Sequence, residues 1–191
     1  MKEIVVVTGN KRKVRQAQDA MEPFGITVTG ESVPVDEIQT PDDDVRGLAV
    51  ARRKAQDAFA VLMRPLIVCD QHWEIPVLGG FPGAYMKDMD RLLKPEDVLA
   101  MLEGKDRTIH LYENVVYTDG ETTKDFTAVY NGTMADEPRG EDGQWSGKLI
   151  VYEGTDLTIA EHRDRGEHAR DMRQSAWKLF GEWYADQEDV C

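Results

Sequence analysis

Apolar residues along this chain switch between two periods, and the switches mark out its elements. Ile4-Val5-Val6-Val7 is a short apolar run of β-branched residues, which predicts a buried strand over residues 3–8. Past Thr8-Gly9-Asn10 the apolar positions Val14, Ala17, Ala20 and Met21 recur at helical spacing. Residues 10–22 therefore read as a helix with Asn10 as its N-cap. Residues 25–35 predict a second strand. A long helix follows, opened by Asp42-Asp43-Asp44, with Val45, Leu48, Ala51, Ala55, Ala58, Phe59 and Leu62 on one face. Its acidic start suits the positive end of the helix dipole. Pro65 ends it, and the run Leu66-Ile67-Val68-Cys69 predicts a strand that stops at Asp70.

Beyond the turn Gly79-Gly80-Phe81-Pro82-Gly83, residues 85–93 and 95–102 predict two short helices. Residues 108–118 and 122–134 read as strands of a hairpin closed around Asp119-Gly120. Residues 138–147, Gly-rich and polar, predict a loop; 149–152 suit a short strand, and 169–184 a terminal helix. Strands interleaved with helices, followed by a hairpin, predict an α/β fold with a mixed sheet. The 191 residues suit one domain over 1–191, with two lobes.

Composition narrows the function. A net charge of −13 argues against nucleic acid and anionic membranes as partners, because the mean field repels polyanions. A small anionic ligand answers to the local field of a cleft instead. No apolar stretch has membrane length and no leader pattern opens the chain, so the expected location is the cytoplasm. Cys69 and Cys191 lie far apart, which predicts no disulfide framework.

Two segments break local rules. Lys11, Arg12 and Lys13 crowd the first turn of a helix whose dipole already disfavours cations there. A bound phosphate would resolve the conflict, with Gly9 allowing close backbone approach and Thr8 and Asn10 offering short polar groups. The spacing is not that of a P-loop. A solvated basic helix start is the alternative, and it stays open. The second segment is Asp70, a carboxylate at the end of an apolar run, which needs a cation, a donor or a reacting proton nearby. Together with Glu37, past the second strand, it offers the hard oxygen ligands Mg²⁺ prefers. For both acids an ordinary structural role is the competing reading, weaker for Asp70. Trp73 reads as core or as a stacking surface.

Taken together these segments resemble the inosine triphosphate pyrophosphatase family. Thr8-Gly9-Asn10-x-x-Lys13 is similar to the family's T-G-N-x-x-K opening. Val35 to Gln39 resembles its acidic segment, Lys54-Ala55 its K-A pair, and Leu78 to Tyr85 its L-G-G-x-P-G-x-Y turn. Glu137 to Gly140 and Thr158 to Glu161 match further on. The resemblance implies an elongated mixed sheet with two α/β lobes, a central cleft and a homodimer. It implies Mg²⁺-dependent cleavage of a nucleoside triphosphate into monophosphate and pyrophosphate. Carried over, Thr8, Gly9, Asn10 and Lys13 would hold the triphosphate, with Lys13 and Asp70 catalytic. Glu37 and Asp70 would serve the metal, and Trp73, Trp145, His168 and Arg173 would meet the base. Several positions depart from the pattern. Cys69 stands where the family has a second acid, and Gln71-His72 where it has a small residue and glycine. Gln144 to Lys148 replaces the F-G-[YW]-D-P segment, and only Arg173 survives of its S-H-R. These changes predict altered base preference; a catalytically weak nucleotide-binding protein on the same scaffold is the alternative.

Overall fold

The computed structural model describes residues 2–34, 47–141, 143–170 and 172–187. Six strands form a single mixed sheet, in the order β2-β1-β3-β4-β5-β6: β1 (Lys2–Val7), β2 (Ile26–Glu31), β3 (Leu66–Glu74), β4 (Thr108–Thr118), β5 (Thr123–Met134) and β6 (Ile150–Tyr152). The helices are α1 (Lys11–Met21), α2 (Leu48–Leu62), α3 (Met86–Leu92), α4 (Pro95–Met101), α5 (Trp145–Leu149), α6 (Ile159–Asp164) and α7 (Ala176–Ala185). The expected mixed α/β class is what forms.

The chain divides into two compact units. The first comprises Met1–Gln71, Glu113–Ala128 and Met172–Cys191. Within it β1 pairs in parallel with β2 on one side and with β3 on the other. Alternation along β1 gives its two faces different partners. Val5 and Val7 join Leu66, Val68 and Val116 beneath the small stripe Ala51, Ala55 and Ala58 of α2. Val6 pairs with Gly30 on the opposite face, where a side chain on Gly30 would come within 2.7 Å of Val14 in α1. So α1 and α2 cover opposite faces. On the α1 side α7 packs as closely, since a Cβ on Gly181 would lie 2.9 Å from Phe24.

The second unit comprises His72–Tyr112 and Val129–Asp171. Its core gathers Trp73, Ile75, Met89, Val98, Leu102, Ile109, Leu149 and Trp145. Thr158 opens α6 with a reciprocal cap: its hydroxyl accepts from the Glu161 amide at 3.2 Å, and the Glu161 carboxylate accepts from the Thr158 amide at 2.8 Å.

Several boundaries differ from expectation. The second strand ends at Glu31, not at residue 35. The long helix begins at Leu48, after Gly47 turns the chain with φ 72°. Asp42, Asp43, Asp44 and Val45 lie outside the described residues. The terminal helix starts at Ala176 because Ser175 caps it, its hydroxyl accepting from the Lys178 amide at 3.2 Å. Residues 145–149, expected as loop and strand edge, form α5. The helix α6 was not foreseen, although its T-x-x-E signature is present in the chain.

Candidate functional site

The topology of the first unit locates a site before any side chain is considered. From β1 the chain crosses through α1 to β2 on one side, while α2 leads into β3 on the other. Where neighbouring connections diverge to opposite faces, a crevice opens beyond the carboxyl ends of the strands. The divergence lies between β1 and β3. The turn Thr8-Gly9-Asn10 sits at that end of β1, and the register Val5–Leu66, Val6–Ile67 carries Cys69 and Asp70 to the same level of β3.

The turn is built by its own side chains. Thr8 Oγ1 accepts from the Asn10 amide at 3.1 Å, and Asn10 Oδ1 accepts from the Arg12 amide at 2.9 Å, so Asn10 is the N-cap expected of it. A Cβ on Gly9 would meet only Ser32 Oγ, at 3.7 Å. The fold therefore tolerates a side chain there. What the glycine leaves open is approach to the turn from solvent. Lys13, one turn into α1, reaches across to β3 and donates from Nζ to the Cys69 carbonyl at 2.9 Å.

Asp70 does not end its strand: β3 continues to Glu74. The polar run Asp70-Gln71-His72 looks like a terminus in the sequence, but each of these side chains finds a partner in the sheet or beside it. Val68 and Asp70 share the α2 face, and there Lys54 Nζ donates to Asp70 Oδ1 at 3.0 Å. The two side chains are 12% and 20% exposed, so the ion pair is shielded but reachable. On the other face Gln71 Nε2 donates to Glu113 Oε1 at 2.6 Å. Lys54 was visible in the sequence only as part of a motif. Glu113, an acid inside the apolar stretch from Leu111 to Tyr117, was missed, though that interruption was its signal.

Glu37 lies outside the described residues. Among the described residues no three His, Cys, Asp or Glu side chains converge as a metal cage. Asp70 offers hard carboxylate oxygens of the type Mg²⁺ takes alongside substrate phosphates, so the donor chemistry fits that ion.

Of the four residues expected near a base, two are exposed and two are buried. Arg173 is exposed in the short turn Met172–Gln174 that precedes α7, in the first unit. His168 is exposed in the second unit. Trp145 is not in a loop: it opens α5 and is 1% exposed. Trp73 is 6% exposed and stands 5.8 Å, ring to ring, from Tyr152. Both tryptophans belong to the core of the second unit, where the apolar surface they bury outweighs any gain from an open ring face.

Comparison with known proteins gives the family and the fold. The model of the Ham1 family matches residues 4–183. A dITP/XTP pyrophosphatase of Methanosarcina acetivorans is 33% identical over 98% of this chain and 100% of its own length. One of Methanopyrus kandleri is 32% identical over 95% of each. Among solved structures, a HAM1 protein from Coxiella burnetii superposes with a TM-score of 0.79 at 20% identity, covering 98% of this chain and 100% of its own.

Proposed function

Because this chain belongs to the Ham1 family, we propose that it hydrolyses nucleoside triphosphates to the monophosphate and pyrophosphate, with Mg²⁺ and with a base preference of its own. The observation that carries the reading is the meeting of Thr8-Gly9-Asn10, Lys13, Lys54 and Asp70 at the β1–β3 switch point. In this reading the cationic start of α1, with the open backbone at Gly9, receives the polyphosphate, and Lys13 turns from the Cys69 carbonyl to a phosphate oxygen. Lys54 orients Asp70 through their ion pair. Asp70 takes a proton from the attacking water. Asp70 and Glu37 are the residues that would hold Mg²⁺, which when bound neutralises phosphate charge.

Arg173 donates to a keto oxygen of the base. Trp73 and Trp145 are buried in the core of the second unit, so this reading gives them no stacking role. The altered preference follows from the rewritten segments 144–148 and 166–173, because a lost buried hydrogen bond shifts discrimination strongly. The chain acts as a homodimer in the cytoplasm. Among the described residues no helix is long and apolar enough to cross a membrane.

The test is a panel of purine and pyrimidine triphosphates, ribo and deoxyribo, assayed for pyrophosphate release with and without Mg²⁺. Metal-dependent pyrophosphate from a subset of bases is the expected result. Orthophosphate release would refute the bond assignment, and binding without turnover would return the weak-binder alternative.

A further inference from the structure

Glu113 is fully buried, 0% exposed, and has no part in the chemistry described so far. An ionised carboxylate at such a depth is costly unless several donors converge on it. Two do, from different elements. Gln71 Nε2 of β3 donates to Oε1 at 2.6 Å, and the Ala176 amide, in the first turn of α7, donates to Oε2 at 2.9 Å. The second contact also sets the carboxylate at the positive end of a ten-residue helix.

The position of these donors matters more than their number. Gln71 follows Asp70 directly, and the carbonyl just before Asp70, that of Cys69, is held by Lys13 at 2.9 Å. Before a phosphate draws Lys13 away, Asp70 thus hangs from a stretch of β3 held on both sides; afterwards the Gln71–Glu113 contact remains. Ala176 follows the turn Met172–Gln174 that bears Arg173. One side chain therefore ties the strand of the proposed base catalyst to the turn of the proposed base reader. Both halves of the link, Gln71 and Glu113, lie in the first unit.

We propose that Glu113 is a positioning residue that sets the base discrimination of the site, by fixing the Arg173 turn relative to β3. The proposal rests on the reading of the site as a nucleotide site. Shortening the side chain by one methylene keeps the charge but prevents one carboxylate from reaching both donors, so Glu113→Asp is the informative variant. Glu113→Gln keeps the length and an acceptor for the Ala176 amide, and Gln71 can turn its carboxamide to match.

The measurements are kcat/KM for 6-keto and 6-amino purine triphosphates, together with competition by inorganic tripolyphosphate, which probes the phosphate half alone. In Glu113→Asp the ratio between the two bases is expected to fall about tenfold or more. Tripolyphosphate affinity should stay within about twofold, and Glu113→Gln should recover most of the ratio. An unchanged ratio in a folded Glu113→Asp overturns the inference alone, as does a uniform loss for both bases and tripolyphosphate. A wild-type chain that releases no pyrophosphate from any nucleotide overturns the functional reading and the inference with it. Should Glu113→Asp fail to fold, Gln71→Ala cuts the same link from the β3 side. An unchanged ratio there would equally refute the proposal.

Discussion

Asp70→Asn separates chemistry from architecture at one atom. The carboxylate lies 3.0 Å from Lys54 Nζ, with side chains 20% and 12% exposed. At an effective dielectric of about 20 the bare attraction across that gap is roughly 5 kcal/mol, most of it offset by the desolvation of both groups. Asparagine keeps the shape and an oxygen that still accepts from the ammonium. The net stability loss should therefore be only about 1 kcal/mol, a fall in Tm of about 2–4 °C for a chain of this size. Removal of a general base costs far more in rate, about 10²–10⁴-fold, or about 3–5 kcal/mol of barrier. The assay is pyrophosphate release at saturating nucleotide and Mg²⁺, alongside thermal unfolding of the same preparation. A near-native Tm with turnover reduced at least a hundredfold is the expected pair of results. Turnover within about tenfold of wild type would remove Asp70 from the proton transfer, whatever the unfolding curve shows.

Other positions give equally direct checks. Lys13→Ala should raise KM for triphosphates about tenfold while leaving nucleoside binding unchanged, measured by calorimetry; equal loss for both would argue against a phosphate role. Gly140 holds φ 86° with the position of a Cβ only 2.5 Å from that of Ala160, so Gly140→Ala should cost about 2–3 kcal/mol and lower Tm by several degrees. An unshifted melting curve would contradict the packing. In the β4–β5 turn Asp119 titrates below the ordinary carboxylate range: burial opposes the charged form, but the Thr122 and Glu121 amides and the Tyr117 hydroxyl outweigh it. A depressed pKa means the charged form stabilises the fold. That contribution is complete above the unfolded pKa, about 4, and lost as pH falls through the folded value. Denaturant titrations at neutral and acid pH should show a smaller acid-side loss in Asp119→Asn than in wild type; equal losses would refute it.

The β1–turn–α1 unit could be read from the chain because everything that forms it is local. Apolar runs set the strand, helical spacing sets the buried face, and Asn10 caps the helix by accepting from an amide two positions on. The hairpin was legible for the same reason, since Asp119 bonds the amides of Glu121 and Thr122 at 2.9 and 2.7 Å within its own turn. Misreadings cluster where distant residues decide. Asp70-Gln71-His72 looked like the end of a strand. It continues because Lys54 and Glu113 satisfy the first two side chains and Tyr112 stacks on the third at 5.3 Å. Trp145, set among glycines and polar residues, reads as part of a loop, but it opens α5 and the core of the second unit takes it in.

The sequence by itself determined the strand and helix order, the capped turn and the residue types able to meet a phosphate, because these depend on neighbours a few positions apart. Only the tertiary structure decided which charges have partners. The choice of Lys54 for Asp70, and of Gln71 and Ala176 for Glu113, depends on sheet order and face alternation, which bring together residues separated by 16 to 63 positions. No local pattern encodes that pairing, because the energy of a buried charge is set by whatever the fold places around it.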